Sequence, residues 1–277
     1  MHFSTKSTLF LCSGFLCSQV HEGGIDIFAW LPAAAALLGL IIGSFLNVVA
    51  IRLPKGESIA YPPSHCVHCG HPLRPADLIP VLSCVLLRGR CRYCRGRISP
   101  AYPAGELAAA AAFALVAWKT GFTPELAAAL LLASVLITAA HTDLREMVIP
   151  DKLVAFGIAA GLAARLYSHP LPWWDYALGA AAGSGILMAL AVISRGGMGG
   201  GDIKLYLFVG LMLGFKLTML SIFAASLLGS LYGLILALAG KYRRRMHIPF
   251  GPFIALGALL TYTFGERALA LYFAWLQ

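Results

Sequence analysis

The chain has 277 residues, 59% hydrophobic and only 12% charged, and a mean hydropathy of +0.79; this balance excludes an ordinary soluble domain and points to a membrane protein. Its net charge of +9 is not a nucleic-acid signature, because the basic residues cluster between apolar stretches. Seven cysteines, an odd number, argue against a disulfide framework.

Residues 1–24 hold Lys6, a short apolar run from Leu9 to Leu16 and then polar residues. With no clear small-residue cleavage site, this stretch reads as an unstructured or weakly interfacial extension or a misplaced start, with a signal peptide as the competing reading. Residues 25–51 form the first predicted span, since the run from Ile27 to Ile51 carries no charge and is interrupted only by Pro32 and Asn47. Arg52 ends it. Residues 52–100 are rich in Pro, Cys and Arg, with turn signals such as Tyr61-Pro62-Pro63, and read as a small domain between two spans.

From residue 101 to residue 277 the chain reads as a helical bundle. Its apolar segments are Ala101 to Trp118, Leu126 to Thr142, Leu153 to Tyr167 and Tyr176 to Ser194. Arg165 is placed where it can snorkel to an interface. Leu205 to Gly240 is divided by Gly214, Phe215 and Lys216 into a short helix and a full span, and Met246 to Gly265 begins the last segment, which Glu266 and Arg267 interrupt. The expected fold is an all-α polytopic membrane protein of about eight transmembrane helices, with the small cysteine domain between the first two.

Loop charge orients these spans. Sixteen of the 21 basic residues fall on one side, including those of the cysteine domain, Arg145, Lys152, Arg195, Lys204 and the cluster Lys241 to Arg245. By the positive-inside rule that side is cytoplasmic and both termini lie outside. The basic loops are expected to face anionic lipid headgroups.

Cys66-Val67-His68-Cys69 and Cys91-Arg92-Tyr93-Cys94, 21 residues apart, pair two CxxC knuckles at close to zinc-ribbon spacing. Four thiolates complete a tetrahedron and leave no open position, so Zn2+ is expected here to fold a domain with few core-forming side chains. Reduced free thiols and a redox pair are the competing readings. His65, His68 and His71 are not needed as ligands.

Asp143 follows the third apolar segment, and Asp202, in Gly199-Gly200-Gly201-Asp202, precedes the sixth, so both reach the same membrane face. Carboxylates at that depth are costly and point to function, although a salt bridge to Lys204, Arg145 or Arg195 would explain either one singly. Two neighbouring carboxylates share a proton. The ionised member deprotonates an attacking water while the protonated one polarises the scissile carbonyl, which is aspartyl proteolysis. Gly196, Gly197, Gly199, Gly200 and Gly201 leave room for an extended substrate backbone, or else form a flexible loop. At a helix N-terminus Asp202 is expected to stay ionised, with Asp143 carrying the proton. A transporter or proton relay built on the same pair, a thiol-redox protein and a secretion scaffold are the rivals.

The sequence also resembles a known family, the type IV prepilin peptidases of the GxGD group of membrane aspartyl proteases. The resemblance rests on Gly43-Ser44-Phe45-Leu46-Asn47 through Arg52-Leu53-Pro54, both CxxC pairs, Ile79-Pro80-Val81-Leu82-Ser83, Gly89-Arg90-Cys91, Ile98-Ser99 with Tyr102-Pro103 and Glu106, the Asp143 segment, and Gly199 to Leu205. It implies an endopeptidase of the bacterial inner membrane, with the cysteine domain and active site facing the cytoplasm. Its substrates would be prepilins or pseudopilins, cut after a glycine that ends a basic leader. It further implies N-methylation of the new N-terminus with S-adenosylmethionine. Asp143 and Asp202 match the catalytic pair, and Asp151 a nearby acidic position. Gly89, Glu57, Asn47 and Arg52 are candidates for the methyl-donor site, although no G-x-G-x-x-G is present. Leader recognition is expected to fall to Glu57, Asp77 or Glu146. Departures are the N-terminal extension, Ile149 before Pro150-Asp151 and Cys84, none of which touches the pair.

Overall fold

The computed structural model describes residues 27–194, 197–241 and 248–276. The extension 1–24 with Cys12 and Cys17, as well as Arg195, Gly196 and Arg243 to Arg245, lies outside the described residues. Among those residues the chain is helical, with no strand and only two isolated bridges, His65 to Pro72 and Arg90 to Arg97.

Helix α1 spans Ile27–Arg52, and a short α2, Leu82–Leu86, belongs to the cysteine domain. Then come α3 Ala101–Thr120, α4 Glu125–Glu146, α5 Asp151–Tyr167, α6 Trp173–Ile193, α7 Gly200–Leu238 and α8 Gly251–Trp275. Proline punctuates them: Pro100, Pro124, Pro150 and Pro172 stand just before α3 to α6, where a missing N–H breaks no helical bond. Among the described residues six helices, α1, α3, α4, α6, α7 and α8, are long and apolar enough to cross a membrane. The chain is a multi-pass membrane protein.

Among the described residues the number of segments nevertheless comes to eight. Helix α5, with 17 residues, is about 25 Å long and slightly short of a full crossing. Helix α7 is a hairpin. An unbroken helix from Tyr206 to Ser221 would rise about 22 Å, yet their hydroxyls lie 3.4 Å apart. The reversal occurs at Gly214, whose φ of 75° and ψ of 173° lie in a region open essentially to glycine alone. Asp175 seals the turn by accepting the Phe215 amide at 3.2 Å. Helix α6 fits between the two arms: a Cβ on Gly179 would strike the backbone of Gly210 and Gly214, and one on Gly183 would meet both Tyr206 and Thr218. Both ends of the hairpin therefore return to one end of the bundle.

Helix α4 is the hub, touching α1, α3, α5, α7 and α8. Its Ala128, Leu132, Leu136 and Ala139 are packed with Phe113 of α3, Phe208 and Met212 of α7, and Ile254 and Ala258 of α8. It continues past the apolar run ending at Thr142, with Arg145 favourable in its last turn, and it stops where Met147 adopts the left-handed cap and Pro150 forbids extension. Helix α8 runs on through Glu266 and Arg267, where an interruption was expected, since Lys119 pairs with Glu266 at 3.0 Å and Arg267 lies over Trp118 at 5.7 Å.

Arg165 does not snorkel. It is 2% exposed, held by both oxygens of Glu125 at 2.8 and 2.7 Å, by the Met212 carbonyl and by the face of Tyr176 at 4.8 Å.

Candidate active site

Helix α4 delivers Asp143 in its last turn and α7 delivers Asp202 in its first. The two carboxyl groups are 7% and 8% exposed and lie close enough for the Asp143 charge to act on Asp202. Neither enters an ion pair among the described residues. Lys204 pairs instead with Asp151 at 2.7 Å, and Arg145 sits over the Tyr102 ring at 5.5 Å. Two of the salt bridges that would have made these acids merely structural are thus absent.

The first turn of α8 contributes to the site as well. The amide of Gly251 donates to Asp143 Oδ2 at 2.7 Å, and a Cβ on Gly251 would stand 2.9 Å from both Oδ2 and Cβ of Asp143. Only glycine lets the helix approach this closely. Asp202 lies at the start of α7 and Asp143 faces the start of α8, so helix polarity no longer separates the two acids. An oxygen that accepts an amide N–H is also not where a shared proton resides, which leaves Asp143 Oδ1 and Asp202 for it.

The glycines before Asp202 differ among themselves. A Cβ on Gly201 would press into Ile149 at 2.9 Å, so this residue lets α7 pack on the α4–α5 turn. One on Gly199 would stand 3.2 Å from Asp202 Oδ2, whereas Gly200 faces open space.

The cysteine domain is built from two copies of one turn. The Cys66 amide bonds the His71 carbonyl at 2.9 Å and the Gly70 amide bonds the Cys66 carbonyl at 2.8 Å; Cys91 with Gly96 and Arg95 with Cys91 repeat this at 2.8 and 3.1 Å. Gly70 and Arg95 occupy the same place and both take positive φ, 68° and 59°. The ligand atoms of Cys66, Cys69, Cys91 and Cys94 all lie within 4.8 Å of one another, and could hold a metal ion. Cys66 and Cys94 Sγ are 3.8 Å apart. A tetrahedral ion with bonds of about 2.3 Å to sulfur needs about 3.8 Å between sulfurs. The Cys69 backbone amide leads in pulling the Cys66 thiol down to about 6. For Cys94 the Gly96 amide favours the thiolate, but burial and the neighbouring thiols outweigh it and push the group up to about 11.

A cavity of about 570 Å³ opens between this domain and the ends of α1, α3 and α4. Asn47, Arg52 and Glu57 line it, as do Tyr102, Glu106 and Arg145. Gly89 is not among the lining residues; it sits in a turn at φ 67°, its amide bonded to the Cys84 carbonyl and its carbonyl to the Ile98 amide, each at 2.8 Å. Arg92 holds Asp77 at 2.7 Å and keeps that carboxyl below its usual range, so Asp77 is already engaged. Sequence reasoning missed the role of Gly251 and the placement of Glu106. The Phe250-Gly251-Pro252 step was the available signal for the first, since Gly-Pro at a helix start marks a close backbone approach.

Two family models divide the chain: the bacterial peptidase A24 N-terminal domain matches residues 37–120, and the type IV leader peptidase family matches residues 130–234. The prepilin leader peptidase/N-methyltransferase of Bacillus subtilis (strain 168) is 41% identical over 236 residues, covering 85% of this chain and 95% of the relative. The proteins of that name from Pseudomonas putida and Burkholderia pseudomallei (strain 1026b) are 31% identical over 269 residues and 34% over 278. Those alignments cover 87% and 88% of this chain, and 93% and 90% of the relatives. No solved structure matches the chain significantly.

Proposed function

The chain belongs to the type IV leader peptidase family, and on that premise we propose that it cuts the basic leader of prepilins or pseudopilins after a glycine, at the cytoplasmic face of the inner membrane, and methylates the N-terminus so exposed. The observation that carries the first activity is the pair Asp143 and Asp202, both buried at one end of the bundle and without an ion pair among the described residues. One carboxylate takes a proton from the attacking water, and the other, protonated, polarises the scissile carbonyl and then protonates the leaving amine. The amide of Gly251 fixes the orientation of Asp143 during both steps. Gly199, Gly200 and Gly201 are the proposed approach for the substrate backbone, with Gly200 open to it. Excess basic charge in the loops at this end supports a cytoplasmic orientation and contact with anionic headgroups. Membership of a peptidase family leaves the proton-relay reading without support.

The metal is proposed to be structural Zn2+, held by Cys66, Cys69, Cys91 and Cys94, because the sulfur spacing suits its tetrahedron. The methyl-donor site is proposed to be the cavity between the domain and the helices. Its residues suit S-adenosylmethionine: Arg52 for a carboxylate, Glu57 for hydroxyl groups, and Asn47, whose Oδ1 is buried without a partner, for a donor group. When bound, this cofactor supplies an electrophilic methyl group. Asn47 Nδ2 is anchored on the Tyr102 carbonyl at 2.9 Å, and Arg52 Nη1 on the Ser58 carbonyl at 3.0 Å, so the lining is held in place by α3 and by the domain itself.

Co-expression with a prepilin tests both activities. Asp143→Asn and Asp202→Asn are each expected to slow leader removal by about 10²- to 10⁴-fold, read as a gel shift. Normal processing by both variants would sink the protease reading. In a Cys66→Ala/Cys69→Ala protein, cleavage is expected to survive while bound zinc and the N-terminal methyl group, read by mass spectrometry, disappear. Persistent methylation there would detach the domain from the second activity.

A further inference from the structure

Glu106 is a third buried carboxylate, beside Asp143 and Asp202, that enters no ion pair among the described residues. It lies on α3, 8% exposed, and lines the cavity beside Asn47. Its Oε2 accepts the Val81 amide at 2.7 Å, which ties α3 to the start of α2. No basic nitrogen of the described residues forms an ion pair with it. Of the basic residues that line the cavity, Arg52 is engaged with the Ser58 carbonyl, Arg92 with Asp77 and Arg145 over Tyr102, while Lys55 and Arg97 form no ion pair with Glu106. Burying a carboxylate without a counter-charge is expensive, and at Glu125 the same chain meets that cost with Arg165.

A second acceptor is also unmatched. Asn47 is 3% exposed, and its Oδ1 is buried with no hydrogen-bond partner. It lies against Gly105, the residue preceding Glu106, close enough that a Cβ at 105 would overlap it. The close approach of α1 and α3, where Gly43 sits against the Glu106 backbone, thus brings a carboxylate without an ion pair and an amide oxygen without a hydrogen-bond partner, from two helices, to the lining of one cavity. Both call for a donor, and the carboxylate calls for positive charge. Among small cations a primary ammonium supplies three N–H groups and one charge, enough for both acceptors.

We propose that Glu106 and Asn47 Oδ1 form the binding site for a primary α-ammonium group in the methylation cavity. This rests on the methyltransferase reading. Two molecules in that reaction carry such a group: the methyl donor, on its amino-acid part, and the freshly cut protein, at its new N-terminus.

The experiment uses the full-length protein in detergent as wild type, Glu106→Gln and Glu106→Asp. Gln keeps an acceptor for the Val81 amide and removes the charge, while Asp restores it. The probes are S-adenosylhomocysteine, which retains the donor's α-ammonium, followed by calorimetry, and a pre-cut pilin peptide, followed by its KM for methylation. Weaker S-adenosylhomocysteine binding in the Gln protein, by at least about tenfold, with recovery in the Asp protein, assigns the site to the donor. A tenfold rise in KM for the peptide, with S-adenosylhomocysteine affinity unchanged, assigns it to the new N-terminus. No change in either quantity overturns the proposal. Acetylating the α-amine of S-adenosylhomocysteine, or of the peptide used as a competitor, tests the same contact on wild type. No loss of affinity on either acetylation overturns it whether or not the Gln protein accumulates. If the wild type itself neither binds S-adenosylhomocysteine nor methylates the peptide, the methyltransferase reading has failed and the proposal falls with it.

Discussion

The two ends of the bundle treat buried carboxylates in opposite ways. At the end where α4 begins, Glu125 is gripped by Arg165, which is further tied to the Met212 carbonyl and the Tyr176 ring. At the end where α4 finishes, Asp143 accepts the Gly251 amide, and neither it nor Asp202 enters an ion pair among the described residues. The first arrangement locks α4, α5, α6 and α7 together. The second leaves the acids without an ion pair where the proposed chemistry shares a proton, so one helix carries a structural acid at its start and the proposed reactive one at its end.

The contrast can be broken most severely at Arg165. Arg165→Met strands Glu125 and is expected to cost about 3–5 kcal/mol, seen as a lower melting temperature in detergent. Adding Glu125→Gln should recover much of it. Asp143→Asn, in contrast, is expected to melt close to wild type. If the aspartate variant melts as low as Arg165→Met, the two ends are not different in kind.

Gly251→Ala probes the reactive end by pushing on Asp143 without changing any charge. A displacement of about 1 Å at a reacting group costs up to about 10²-fold in rate, so leader removal should fall to that extent while the protein accumulates normally. Unimpaired cleavage would remove α8 from the site. Gly214→Ala acts at the opposite end, where any Cβ meets the Asp175 carboxylate and the backbone conformation suits only glycine. It should destabilise the protein by about 1–3 kcal/mol, measurable by the same melting assay. Asp151→Asn is expected to do least. Its pair with Lys204 is exposed, 54% on the lysine side and 72% on the aspartate side, and should be worth less than about 1 kcal/mol. A large loss of cleavage in that variant would give Asp151 a part in the chemistry.

What could be read from the sequence was local. The four cysteines announce themselves by spacing, and Asp143 and Asp202 by standing at the margins of apolar runs. Gly214, with Lys216 two residues on, marked the break that the structure resolves into a hairpin. Side-chain partners were not legible. Hydropathy places Arg165 near the end of a helix but does not say which face it occupies, and it turned inward to Glu125 rather than out to the interface. Glu106 and Asn47 are 59 residues apart, and nothing along the chain says that the packing of α1 on α3 sets both in one cavity. Gly251 is 108 residues from Asp143, and its amide is invisible to any reading of side chains.

That last contact bears on when the enzyme becomes active during its own synthesis. Both acids have been synthesised once the first turn of α7 is made, but the amide that orients Asp143 is carried by α8. A chain inserted only through α7 holds the acids without the group that aims them. With Asp143 in its proposed role, hydrolytic competence arrives with the final helix, and a half-translated molecule is a poor protease.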